Sequence, residues 1–302
     1  MQTCWTRRDV LRGGLAAGAV LAVGGGLGCG AAESRAPHVP PLRLSYGGFA
    51  RGIQSYTLRH YTLEAALDIV QALGLGHVEL IPETKLGPIA FGEHLRVSED
   101  GAAIDAALAA CRARGNAIAA HGVNGMSDLA EAERLFAFAT RARIPVLTIM
   151  PSAELLPALD ALCEANPGVR LAIHNHGPHL PWETIDEILA AIEPRHPNLG
   201  ACVDTGHFIR SGIDPVEAIR RFGARVHGVH LKDFVEAGAL ADGCILGDGK
   251  LALEALFAAL REVGFAGALS IEYEENPENV VPDLSACLEA ASAAAERVAA
   301  AR

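Results

Sequence analysis

The chain has no Cys-x-x-Cys pair and no regular ladder of cysteines; Cys4, Cys29, Cys111, Cys163, Cys202, Cys244 and Cys287 are scattered along it. That spacing implies neither a disulfide framework nor a zinc-thiolate site. The later cysteines fall in apolar patterns that suit a small buried hydrophobe. Positive charge is also scarce, with 25 Lys and Arg against 36 Asp and Glu and a net charge of −11. An acidic surface repels phosphate backbones, which argues against nucleic acid and anionic membranes as partners. No Gly-x-Gly-x-x-Gly turn follows the first strand candidate, so the main cue for a dinucleotide-binding fold is missing. The apolar run from Gly13 to Gly28 is too short and glycine-rich to make a good membrane span.

What that run does fit is a targeting segment over residues 1–32. Thr6-Arg7-Arg8-Asp9-Val10-Leu11-Arg12 resembles the twin-arginine export signal, and Gly30-Ala31-Ala32 offers small residues for cleavage. The expectation is an exported, periplasmic protein. The alternative is a lipid anchor at Cys29, although Gly26 stands where a lipobox normally has leucine. Residues 33–48 read as a linker and 49–302 as one domain, close to the roughly 250 residues typical of a (β/α)8 barrel.

From Phe49 onward a short apolar run, a polar or glycine loop and an amphipathic stretch of period near 3.6 recur eight times. The spacing predicts strands at Gly52–Tyr56, His77–Ile81, Ala117–His121, Val146–Met150, Arg170–Asn175, Leu199–Asp204, Val226–Leu231 and Ala268–Tyr273. Helices are predicted between them and after the last. Thr62, Ser127-Asp128 and Asp214-Pro215 mark helix starts; Gly74, Gly115 and Gly264 mark ends. Eight regular units favour a single closed (β/α)8 TIM barrel over an open doubly wound sheet.

Barrel active sites form at the carboxyl ends of the strands, so polar residues there are the candidates for chemistry. This chain has Glu79, His121, His174 and His176, Asp204 and His207, His230 and Lys232, and Glu272 at such positions. A lone histidine of this kind is more often a satisfied core residue. Together, five histidines and three carboxylates on one rim would be costly to bury unpaired, and imidazole with carboxylate suits Mn²⁺, Zn²⁺ or a related ion. Strand alternation puts His174 and His176 on one face and leaves open which of them points inward.

The succession Asp204-Thr205-Gly206-His207, His230-Leu231-Lys232-Asp233, Leu246-Gly247-Asp248-Gly249 and Ile271-Glu272-Tyr273 resembles the xylose-isomerase-like barrels of sugar phosphate isomerases and epimerases, a superfamily that includes apurinic endonucleases. The resemblance implies one divalent metal, Mn, Co or Zn, held by His174, Asp204, His230 and Glu272, with His207 contacting substrate hydroxyls. It departs at strand five, where the epimerases have glutamate and this chain has His174. Two-base epimerisation uses both glutamates; with Glu272 alone, the implied chemistry is isomerisation or epimerisation by proton abstraction next to a carbonyl, or β-elimination. The His-Asn-His-Gly form of strand five is similar to a branch linked to 3-keto-glycoside cleavage, which makes a lyase the alternative. Glu79, His121, His176 and Lys232 are then unranked candidates for acid, base and hydroxyl-binding roles beside Glu272. The expected partner is a small carbohydrate, with a sugar oxidoreductase as a functional neighbour and a homo-oligomer as one possible assembly. An abasic-site endonuclease and a non-catalytic sugar-binding barrel are the remaining alternatives.

Overall fold

A computed structural model describes residues 46–82 and 101–301. The export leader expected over residues 1–32 lies outside the described residues. Within them, eight parallel strands close into a barrel. They are β1 (Ala50–Gln54), β2 (His77–Leu80), β3 (Ala117–Met126), β4 (Val146–Pro151), β5 (Arg170–His174), β6 (Leu199–Asp204), β7 (Val226–Leu231) and β10 (Ala268–Ile271). A small antiparallel pair, β8 (Asp233–Phe234) and β9 (Gly243–Cys244), folds out of the loop after β7. The helices are α1 (Leu63–Ala72), α2 (Gly101–Ala113), α3 (Leu129–Ala142), α4 (Leu156–Ala165), α5 (Ile185–Ile192), α6 (Thr205–Arg210), α7 (Pro215–Phe222), α8 (Leu253–Glu262) and α9 (Val281–Ala300). The single-barrel expectation is therefore correct.

Local chemistry sets the element ends. Thr62, Asp128 and Asp214 each accept a backbone N–H of the following turn, and Gly74, Gly115 and Gly264 adopt positive φ where their helices stop. β1 ends two residues earlier than expected because the Gln54 side chain accepts from Tyr56 N and turns the chain into a 3-10 turn, Ser55–Leu58. Tyr46, expected in the linker, is buried edge-on against Phe257 of α8.

The inward positions of the late strands follow a two-step pattern that positions the site. A small residue comes first, Ala172, Cys202, Gly228 or Ser270; two residues later on the same face stands His174, Asp204, His230 or Glu272. Ala172 and Cys202 pack with Ala120 of β3 and Val146 of β4 as a small buried cluster, and the room they leave is taken by the large polar groups.

His121 does not join that ring. It pairs in register with Leu80, whereas Ala120 pairs with inward-facing Glu79, so His121 faces the helical layer. There its ring lies 5.3 Å from that of Phe138 on α3, edge to face, and neither ring nitrogen has a hydrogen-bond partner. The acid, base or hydroxyl-binding role expected for His121 gives way to that of a core histidine. Burial pushes its pKa down to about 4, so the ring is neutral in the folded protein and titrates near 6.5 when unfolded. Stability from this ring is full above pH 6.5 and is lost as pH falls towards 4, at about 1.4 kcal/mol per pH unit. His121→Leu is expected to shrink the drop in unfolding free energy between pH 7.5 and pH 5 by about 2 kcal/mol, read from urea titrations at the two pH values. An unchanged drop would contradict this placement.

Candidate metal centre

His174, Asp204, His230 and Glu272, all buried, each direct one donor atom to a common point, and these atoms lie within 4.8 Å of one another. His174 Nε2 is 3.1 Å from His230 Nδ1 and 3.5 Å from Asp204 Oδ2; His230 Nδ1 is 3.0 Å from Glu272 Oε2. Asp204 Oδ2 and Glu272 Oε2 are buried without a hydrogen bond of normal geometry. Buried carboxylate oxygens in that condition are expensive unless a cation meets them. Two imidazoles and two carboxylates are a donor set for Mn, Co or Zn, so the residues fit one divalent ion.

The sequence motifs resolve into separate tasks. Asp204 ends β6 and accepts from His207 N, capping α6. Thr205 Oγ1 donates to Lys232 O at 2.6 Å and accepts from Lys232 N at 2.9 Å, tying the end of β6 to the end of β7. Gly206 admits the neighbouring strand: a Cβ there would meet Phe234 at 2.7 Å and the Lys232 side chain at 2.8 Å. Asn175, between the two histidines of strand five, donates to Asp204 O at 3.0 Å and accepts from Asp204 N at 2.7 Å. Asp233 accepts from the backbone N–H groups of Phe234, Gly247, Gly249, Lys250 and Leu251, which folds the Leu246-Gly247-Asp248-Gly249 segment onto β8.

Two further imidazoles line the ring. His176 stands 4.7 Å from His174, centroid to centroid, and stacks on His207 at 5.7 Å. Arg210 Nη1 lies 3.4 Å from His207 Nδ1. A guanidinium only donates, so Nδ1 is the acceptor and the His207 proton sits on Nε2, facing Asp204 Oδ2 at 3.9 Å. His207 is thus an N–H donor towards the site.

Lys232 places its ammonium 3.2 Å from Asp204 Oδ2, 3.3 Å from Glu272 Oε2 and 2.5 Å from Glu274 Oε1. Burial works against its charge, but Asp204, Glu272 and Glu274 hold its pKa well above the ordinary lysine value. Burial likewise favours a neutral Asp204, but His207, Lys232 and His174 hold it well below the usual range. For Glu272 burial is overcome by Lys232 and His230. His176, next to His174, is pushed down to about 3, chiefly by burial. The site is therefore a set of ionised carboxylates, a charged lysine and neutral outer imidazoles.

The structure brings together every candidate except His121. Glu79 lies below the ring, behind His230, and Lys232 sits among the carboxylates as a counter-charge. Residue-by-residue reasoning missed Asn175, Thr205, Asp233, Arg210 and Glu274. The first three sit within or beside the motifs, and the available signal was that each follows directly on His174, Asp204 or Lys232 in the chain. The Asn175 bridge carries a prediction: Asn175→Ala removes two buried hydrogen bonds to the Asp204 backbone and is expected to cost about 2–3 kcal/mol. The urea midpoint measures this; an unshifted midpoint contradicts the bridge.

Comparison with known proteins agrees with this architecture. An inosose dehydratase of Clostridium botulinum is 31% identical over 138 residues, which are 39% of this chain and 45% of that protein. Such matches span less than half the length of the curated relatives named here. Among solved structures, a xylose isomerase domain protein of Planctomyces limnophilus superposes with a TM-score of 0.64 at 22% identity, over 85% of this chain and 100% of that one. The IolI protein, solved with a binding zinc atom, superposes with a TM-score of 0.63 at 15% identity, over 84% and 99% of the two chains. Residues 67–291 match the sequence family described as Xylose isomerase-like TIM barrel, and with that match covering most of the chain, the protein belongs to the xylose isomerase-like TIM barrel family.

Proposed function

We propose that this protein is a metal-dependent carbon–oxygen lyase that removes a proton next to the carbonyl of a keto-sugar or keto-polyol and expels the oxygen substituent on the following carbon. The observation that carries this reading is the single carboxylate available as base. Strand five contributes His174 where a two-base epimerase needs a second glutamate, and every ion pair of Glu272 among the described residues falls on Oε2, leaving Oε1 for a substrate proton. The dehydratase name of the curated relatives supports elimination over isomerisation.

His174, Asp204, His230 and Glu272 would hold the ion. Bound there, it supplies Lewis-acid polarisation of the substrate carbonyl and so acidifies the neighbouring C–H. Glu272, kept ionised by the Lys232 ammonium, accepts that proton. The His207 Nε2–H group donates to a substrate oxygen, and His176, stacked on it, walls the same side. Lys232 remains an ammonium and balances Asp204, Glu272 and Glu274, so it is a counter-charge and not the base. In the elimination the C–H electron pair forms the new carbon–carbon double bond, the C–O pair leaves with the departing oxygen, and that oxygen takes the proton carried by Glu272 and departs as water or, from a glycoside, as the free alcohol.

An exported location fits an unphosphorylated substrate and rests on the arginine-rich leader alone. The test is a panel of inososes, other keto-polyols and 3-keto-glycosides incubated with metal-loaded protein, with products read by mass spectrometry. The expected products have lost water or an alcohol, and Glu272→Gln is expected to lower kcat by about 10²–10⁴-fold. A product of unchanged mass would replace this reading with isomerisation or epimerisation at the same centre. Turnover that survives a chelator, with no metal in the purified protein, would remove the metal from it.

A further inference from the structure

Beneath the ligand ring lies a carboxylate that the reaction does not use. Glu79 ends β2 and reaches inward across the barrel, where it is 3% exposed. Its Oε1 accepts from Thr148 Oγ1 of β4 at 2.6 Å. Its Oε2 accepts from Ser270 Oγ of β10 at 3.1 Å and faces His230 Nε2 of β7 at 2.9 Å. Four strands thus meet at one side chain, and three donors occupy most of its lone pairs. A carboxylate so enclosed lacks the access to take a proton from substrate.

The His230 ring stands between this carboxylate and the ring of donor atoms. Nε2 faces Glu79, while Nδ1 is 3.0 Å from Glu272 Oε2 and 3.1 Å from His174 Nε2. An imidazole can ligate only through a nitrogen that carries no proton, and the partner of its other nitrogen decides which one that is. Thr148 Oγ1 donates to Glu79 Oε1 and Ser270 Oγ to Oε2, so the carboxylate is an acceptor on both oxygens. A neutral His230 must then carry its proton on Nε2, with the Nδ1 lone pair turned to the centre.

We infer that Glu79 is a positioning residue: it fixes His230 as an Nδ1 ligand, with Thr148 and Ser270 holding the carboxylate in place. The inference rests on the reading of the four-residue ring as a metal centre and assigns Glu79 no contact with substrate. It predicts a specific consequence for Glu79→Gln. The amide keeps the shape, but its NH₂ can turn to donate to His230 Nε2, which moves the ring proton to Nδ1 and blocks ligation. Thr148→Val and Ser270→Ala keep the charge of Glu79 and remove one tether each.

The experiment titrates metal-stripped full-length protein with Co²⁺ and follows the visible d–d absorption, with thermal unfolding of each variant measured alongside. Wild-type protein is expected to take up one equivalent. Glu79→Gln is expected to bind about 10–100-fold more weakly with a changed band shape, and the two tether variants a few-fold more weakly. Folded Glu79→Gln that binds cobalt with wild-type affinity and spectrum overturns the positioning role and leaves the metal centre standing. Wild-type protein that takes up no cobalt overturns the metal centre and this inference with it. If Glu79→Gln does not fold, the tether variants decide: weaker binding by both supports the role, and wild-type binding by both overturns it.

Discussion

Buried negative charge organises the upper end of this barrel. Asp204, Glu272 and Glu79 all lie within 4 Å of a single imidazole, His230, and all are shielded from water. An uncompensated carboxylate in such surroundings costs several kcal/mol, so each has to be met by a cation or by donors held in place. Lys232 answers two of them, and Glu274 in turn pairs with Lys232. Thr148 and Ser270 answer the third. Thr205 anchors the backbone of Lys232, and Asn175 anchors that of Asp204, so neither charge is carried on a free strand end. The loops follow from the same requirement: Asp233, next to Lys232, is satisfied by five backbone N–H groups, and this draws the segment after β9 against β8.

The fold was legible in the sequence because two independent signals agreed over the whole length. Apolar runs with intervening amphipathic stretches gave the alternation, and caps such as Thr62, Asp128 and Asp214 marked where each helix starts. The four-residue cluster was legible through a resemblance, and the structure adds that His174, not His176, ends β5 inside the ring. Less legible were properties that depend on strand register. His121 and Glu79 both close apolar runs next to a barrel rim, yet one faces Phe138 and the other faces His230. The shift of register between Val78 and Glu79 against β3 pairs Glu79 with Ala120 and turns His121 outward, and no period in either segment announces it. α6 was missed for a related reason: the Asp204 carboxylate that reads as a ligand is also the cap that starts a helix of six residues.

The histidine on strand five changes more than the number of bases. A ring of two imidazoles and two carboxylates carries a formal charge of about −2, matched by one divalent cation; a glutamate in place of His174 would add one more buried negative charge. In the present arrangement the Lys232 ammonium is left to pair with Glu274 and to stay beside Asp204 and Glu272. Glu272 then remains ionised beside the Lys232 ammonium, which makes it a weak base that depends on the substrate C–H being acidified first. A weak base on one face suits a reaction in which the proton, once taken, need not be returned to the opposite face of the same carbon. Elimination meets that condition because the electron pair left by the proton expels the neighbouring oxygen. Symmetrical epimerisation does not meet it, because it needs a second carboxylate where strand five carries His174.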